Sequence, residues 1–200
     1  MSFKFLIKLL ELILPPRRTQ SLIEQLSLTD LLALQTDEGL PYQDESVRAL
    51  VWELKYYANR YAAVLAGEIL AEELLALASE ELGRLLLVPV PMHKTRHSLR
   101  GHNQTELLCK ATLKRLGGAL DYAPEALARI RATPEQQKLS REQRLVNLTN
   151  SMRADPEVVR GRACIVVDDV KTTGATLAEA KRALLAAGAF RVHTIALAQS

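Results

Sequence analysis

The sequence predicts an α/β fold: a central, mostly parallel sheet flanked by helices, with a helical N-terminal arm in front of it. Three short apolar runs predict the strands. LLLVPV (85–90), ACIVV (163–167) and VHTIALA (192–198) are continuous rather than alternating, the pattern of strands buried on both faces. Segments of helical periodicity separate them. Strands that alternate with helices pair in parallel, because each return needs a crossover. The arm is expected over 1–43 and the α/β domain over 44–200.

The arm opens on MSFKFLIKLLELIL. Lys4, Lys8 and Glu11 fall on one helical face, and Phe5, Leu6, Leu9, Leu10, Ile13 and Leu14 on the other, which predicts an amphipathic helix packed on the body. Pro15-Pro16 stops it well short of the roughly 20 residues a bilayer span needs. It also lacks a small-residue cleavage site, so no membrane span is expected and the cytoplasm is the default. Residues 17–43 predict a short helix and a polar connection ending near Gly39-Leu40-Pro41. Val47, Leu50, Val51 and Leu54 then mark a helix from Asp44, and an Ala/Leu/Glu-rich helix follows from Arg60 to Leu77.

After the strand at 85–90 comes a charged loop with two prolines. A helix is expected from Asn103 to Leu116, stopped by Gly117-Gly118, then a short strand from Leu127 to Arg131. The strand at 163–167 leads to a helix over Thr176–Ala187, with Leu177, Ala180, Leu184 and Ala187 on one face and Gly188 as its stop. The strand at 192–198 is the last.

Composition narrows the function classes. Apolar residues make 48% of the chain and charged residues 24%, with only 9 Gly and 8 Pro, so the chain has a core and is not disordered. Two cysteines, Cys109 and Cys164, exclude a disulfide scaffold and fit a reducing compartment. On a helix and a strand they read as small apolar residues. Aromatics make 4%, poor material for a base-stacking platform. Net charge is +3, but basic and acidic residues number 7 and 13 in 1–83, 15 and 7 in 84–162, and 4 and 3 in 163–200. The basic excess gathers at 93–100 and 129–144, which points to a local anionic ligand.

The segment CIVVDDVKTTGAT (164–176) carries the chemistry. A buried strand ends in Asp168 and Asp169, and a turn of Thr172, Thr173, Gly174, Ala175 and Thr176 enters a helix. Parallel sheets bind ligands at the carboxyl ends of their strands. A helix N-terminus offers unpaired N–H groups to an anion, and glycine lets backbone come close. Carboxylates repel phosphate, so the acids need a partner of their own, and vicinal ribose hydroxyls supply it. A ribose 5-phosphate satisfies both halves of the segment. A capping box at Thr176-x-x-Glu179 explains the helix start but not the acid pair.

This segment resembles the phosphoribosyl-diphosphate (PRPP) signature of type I phosphoribosyltransferases. The resemblance implies that fold, with Asp168 and Asp169 as the catalytic pair on the ribose hydroxyls and Thr172 to Thr176 on the 5-phosphate. A second segment, VPVPMHKTRHSLRGHNQTELL (88–108), places Lys94, Arg96, Arg100 and Gly101 where a diphosphate would lie. A third, RIRATPEQQKLSREQRLVN (129–147), reads as a mobile loop that closes over a site, with Arg131, Lys138, Arg141 and Arg144 as its charges. Together with Leu54-Lys55-Tyr56, the three segments resemble the ComF family, associated with DNA uptake in competent bacteria.

The resemblance implies PRPP or a related ribose phosphate as ligand, with magnesium, and a partner in the competence machinery. Three functions fit it: a phosphoribosyltransferase releasing diphosphate, a non-catalytic single-stranded DNA-binding accessory, and a PRPP or nucleotide sensor. Family members commonly begin with a four-cysteine zinc module. This chain has no cysteine before Cys109, so no zinc is expected. His102 also replaces the family's Phe, at the cost of an apolar anchor. His93 and His97 are four apart but fall in the expected loop without a third ligand, His193 reads as structural, and Trp52 and Tyr56 read as core.

Overall fold

The computed structural model describes residues 16–81, 83–131 and 148–200. The amphipathic helix expected over 1–14 and the loop residues Lys138, Arg141 and Arg144 lie outside them.

The arm segment contributes two helices and a strand: α1 (Pro16–Gln25), α2 (Leu28–Leu34) and β1 (Leu40–Pro41). The expected polar connection therefore contains a helix. Ser27 and Asp30 start α2 with a reciprocal capping box, a four-residue signal that the sequence carries openly. Helices α3 (Glu45–Tyr57) and α4 (Arg60–Glu80) follow. Asp44 caps α3 through the N–H groups of Ser46 and Val47, and Asn59 caps α4 through those of Tyr61 and Ala62. Between them Ala58 turns the chain at φ +47°.

Strand β2 (Leu86–Pro89) leads to α5 (Lys94–Arg100) and α6 (Gln104–Leu116). Helix α5 corrects the loop expected there. Its residues are all tolerable helix formers, His93 caps it by accepting the Thr95 N–H, and Gly101 ends it at φ +77°. Next come β3 (Asp121–Tyr122), β4 (Leu127–Arg129), β5 (Met152–Ala154) and α7 (Pro156–Val159). The chain ends with β6 (Ala163–Lys171), α8 (Ala175–Ala186) and β7 (Arg191–Gln199). Strand β4 stops two residues before the expected Arg131, and β6 runs past the acid pair instead of ending at it.

The expected α/β architecture is found. The main sheet has the order β1-β7-β6-β2-β3 and every pairing is parallel. A separate antiparallel ribbon joins β4 to β5. Alternation along β6 sends Ile165 and Val167 into a core built with α1, α3, α4 and α6, and Cys164 and Val166 into a second core with α8 and the ribbon. Ile23, Leu26, Leu31 and Leu40 of the arm segment lie in the first core. Glu53, buried on α3, accepts from Thr19 of α1 at 2.8 Å and from Asn59 at 2.9 Å, so that carboxylate is buried with its donors supplied. Cys109 and Cys164 are both buried. Burial raises both thiols, that of Cys164 to about 11.

Candidate functional site

The loops after β2 and β6 leave the same end of the sheet and enclose a cleft of about 390 Å³. This is where a parallel sheet exposes the carboxyl ends of its strands. Asp168, Asp169 and all of Thr172–Thr176 line it, as do Arg96 and Arg100. Lys94 and Gly101 are exposed and do not line it. Arg131 is exposed and donates to the carbonyl of Thr149 at 3.0 Å.

The acids are buried, Asp168 to 8% and Asp169 to 5% of their free exposure. Because side chains alternate along a strand, they meet different surroundings. Asp169 points toward the α3–α6 side. There Lys55 Nζ lies 3.0 Å and Gln104 Nε2 3.2 Å from its Oδ2, while the Val170 N–H donates to Oδ1 at 2.8 Å. Asp168 points toward the ribbon and accepts the Asp169 N–H at 2.9 Å. Burial, and then the neighbouring Asp169, hold the Asp168 carboxyl well above the usual aspartate range. Burial works against the Lys55 ammonium, but Asp169 outweighs it and the net shift is upward.

The Thr172–Thr176 turn leads straight into the N-terminus of α8. Gly174 occupies the N-cap at φ +74°, where L residues are strained; it brings no capping side chain, and Thr173 Oγ1 takes only the Ala175 N–H, at 3.4 Å. The first turn of α8 holds no acidic residue. Its N–H groups and positive dipole end therefore face the cleft without a protein anion against them. Asp169 and the loop are thus an acid and an anion cradle on one short segment.

The second loop is fastened to β2. Asn103 Nδ2 and Thr105 Oγ1 donate to the Val90 carbonyl at 3.1 and 2.7 Å. The Arg100 guanidinium sits 4.9 Å from the centre of the Tyr56 ring and donates to Gln104 Oε1 at 3.4 Å. Tyr56 lies 4.3 Å from Trp52, centre to centre. Both rings are half-buried, so the core reading of this pair is corrected: Tyr56 is part of the cleft wall. His102, where the family carries Phe, holds the loop by polar means. Its Nε2 lies 2.9 Å from the Leu54 carbonyl and its Nδ1 3.1 Å from that of Arg100.

Lys55, Gln104, Tyr42 and Arg129 also line the cleft, and the sequence reading gave none of them a site role. Two were within reach. Lys55 follows the apolar stripe of α3 at four residues from Val51, so it sits beside the buried face. Arg129 shares a strand face with buried Leu127, which points it inward. Its Nε donates to the Pro91 carbonyl at 3.2 Å. Burial lowers the Arg129 guanidinium from its ordinary value, against the opposing pull of Asp168.

The phosphoribosyl transferase domain family matches residues 107–200, the part that carries the acid pair and the threonine turn. DNA utilization protein YhgH of Salmonella typhimurium is 37% identical over 154 residues, which is 76% of this chain and 66% of that protein. YhgH of Escherichia coli K12 matches to the same extent. Competence protein F of Haemophilus influenzae is 31% identical over 116 residues, covering 57% of this chain and 50% of that protein. The chain thus spans just under two thirds of the YhgH proteins. Among solved structures, a glutamine PRPP amidotransferase from B. subtilis superposes with a TM-score of 0.44 at 20% identity, over 72% of this chain and 30% of that one. No helix among the described residues is long and apolar enough to cross a membrane.

Proposed function

The chain belongs to the type I phosphoribosyltransferase-like family as a ComF-like member, and on that premise we propose that its cleft binds PRPP. One observation carries the reading: a buried acid pair, a glycine-led helix N-terminus without an acidic cap and two arginines converge on a single cleft of about 390 Å³. The 5-phosphate goes to the turn at Thr172–Thr176, where N–H groups and hydroxyls converge. The ribose hydroxyls go to the acids. The diphosphate goes to Arg96 and Arg100, with Lys94 at the exposed edge, and bidentate guanidinium contacts suit it.

Turnover breaks the bond between the anomeric carbon and the diphosphate oxygen. The acceptor forms the new bond at that carbon and gives up its proton. The transition state is oxocarbenium-like, so positioning and fixed charge do most of the work. Among the described residues no three His, Cys, Asp or Glu side chains gather as a metal site, and Asp169 is committed to Lys55. Magnesium, if bound, would therefore rest mainly on diphosphate oxygens and water, and would supply charge neutralisation of the leaving group.

The test is thermal unfolding with and without PRPP and magnesium. The reading expects a rise in melting temperature that Asp168→Asn removes. No rise at saturating PRPP rejects it.

The names of the relatives, DNA utilization protein and competence protein F, support a role in handling incoming DNA. A second reading, a single-stranded DNA accessory, is favoured by the exposed basic face of α5 at Lys94 and His97 beside the cleft. It predicts binding that falls steeply with salt and weakens in Arg96→Ala or Arg100→Ala.

A further inference from the structure

We infer that Lys55 is a positioning residue of this cleft: it pairs with the Asp169 carboxylate, fixes its orientation, and so leaves Asp168 the more available of the two acids to the ligand hydroxyls. This deepens the PRPP reading and rests on it for its binding arm alone.

The two acids are consecutive, yet the strand gives them different neighbours. Asp169 Oδ2 already takes two donors, the Lys55 ammonium at 3.0 Å and the Gln104 amide at 3.2 Å, and Oδ1 takes the Val170 N–H at 2.8 Å. A ribose hydroxyl would compete there with a charged donor. The Lys55 side chain keeps 22% of its exposure and that of Asp169 7%, so water screens the pair weakly. Gln104 is in turn gripped by Arg100 through its other end.

Lys55 is held where it can do this. Val51 and Leu54 of the same helix are buried, which fixes the rotation of α3, and Leu54 also receives the His102 ring on its carbonyl. The charged and titratable groups facing the acids come from every side. They are Lys55 from α3, Tyr42 from the turn after β1, Arg96 from α5, Arg129 from β4, and Lys171 at the end of β6. Of these, Lys55 is the cation in direct contact with Asp169. On the other face, Asp168 receives one backbone N–H at 2.9 Å and looks toward Arg129 across the cleft. Ligand hydroxyls meet a less committed acceptor there.

The experiment compares the whole protein with Lys55→Met and Lys55→Arg, and uses two readings. The first is the titration of the Asp168 and Asp169 carboxyl carbons by NMR without ligand. The second is the affinity for PRPP with magnesium between pH 6 and 9. Lys55→Met is expected to raise the Asp169 midpoint by about one pH unit or more, the scale of a lost contact charge. It is also expected to weaken PRPP by about tenfold, because an Asp169 carboxylate left without its cation brings uncompensated negative charge beside an anionic ligand. Lys55→Arg keeps the charge and restores the Asp169 titration.

An unchanged Asp169 midpoint in Lys55→Met overturns the inference. If PRPP affinity then falls all the same, Lys55 touches the ligand instead of positioning the acid. If neither protein binds PRPP, the ligand reading fails, and the titration alone still decides the role of Lys55. Should Lys55→Met not fold, Gln104→Leu removes the second donor, and a smaller rise in the same midpoint is expected. No rise there overturns the inference as well.

Discussion

The carboxylate of Glu179, in α8, accepts the backbone N–H of Met152, in β5, at 3.1 Å. It thereby ties the β4–β5 ribbon to the helix that begins at the threonine turn. Arg182 grips the same carboxylate at 2.7 and 2.9 Å and reaches the Met152 carbonyl at 3.3 Å. The ribbon bears Arg129, so this clamp sets where that cation stands in the cleft. Burial opposes the charge on Glu179, but Arg182 and the backbone donor outweigh it and its carboxyl titrates below the ordinary value of 4.5.

Glu179→Gln is therefore expected to lower stability at neutral pH by about 1–3 kcal/mol, the cost of a charge-assisted buried bond. The contribution is present above the unfolded-state value and is lost as pH falls through the lower folded one. The urea midpoints of the variant and the parent should differ at pH 7 and draw together as pH falls below 4.5. A constant gap across that range would show that the charge is not what matters.

Asp168 has the opposite sign. Its folded carboxyl titrates above the ordinary 3.8 because burial and Asp169 disfavour the charge. Ionising it costs the folded state; that cost shrinks as pH falls below the raised value and is gone only near the ordinary 3.8. Asp168→Asn should thus raise the melting temperature of the ligand-free protein at pH 8, and by less at pH 5, while removing the response to PRPP. A variant less stable than the parent at pH 8 would mean that the carboxylate is compensated in the folded state.

Much of this was legible in the sequence, for identifiable reasons. Continuous apolar runs announced β2, β6 and β7, because strands covered on both faces leave no room for polar alternation. The acid pair and the threonine turn lie within nine residues of one another, so local order alone displayed them. Lys55 and Asp169 are far apart in the chain, and nothing in the local pattern around either one announces the other. Their contact needs the packing of α3 against the sheet. Prolines at 89 and 91 suggest a longer loop, but Pro89 closes β2 and only residues 90–93 separate that strand from α5.

Gly67 shows how such packing is set. A Cβ there would come within 2.9 Å of the Ala111 carbonyl carbon and the Thr112 nitrogen, so this glycine lets α4 and α6 approach to backbone contact. Helix propensity favours alanine by about 1 kcal/mol. Overpacking against backbone that cannot yield costs about 1–3 kcal/mol or more. Overpacking wins, and Gly67→Ala should lower the urea midpoint. Because α6 carries Gln104, the same variant should also weaken PRPP. A stabilised variant would show that the two helices can part.

The arginines and the lysine of the second loop should not contribute equally. Arg96 is half-buried in the cleft wall, whereas Lys94 is exposed beside it on the first turn of α5. A charge-assisted bond to a phosphate in a sheltered site is worth about 1.5–3 kcal/mol. An exposed charge near the same ligand contributes roughly 0–1 kcal/mol and is screened by salt. Arg96→Ala should therefore weaken PRPP by roughly ten- to a hundredfold, and Lys94→Ala by a few-fold at most. Raising the salt from 50 to 300 mM should shrink the smaller effect far more than the larger. Calorimetric titrations of both variants at the two salt concentrations measure this. Equal losses would place the diphosphate out along the exposed edge of α5 instead of in the cleft.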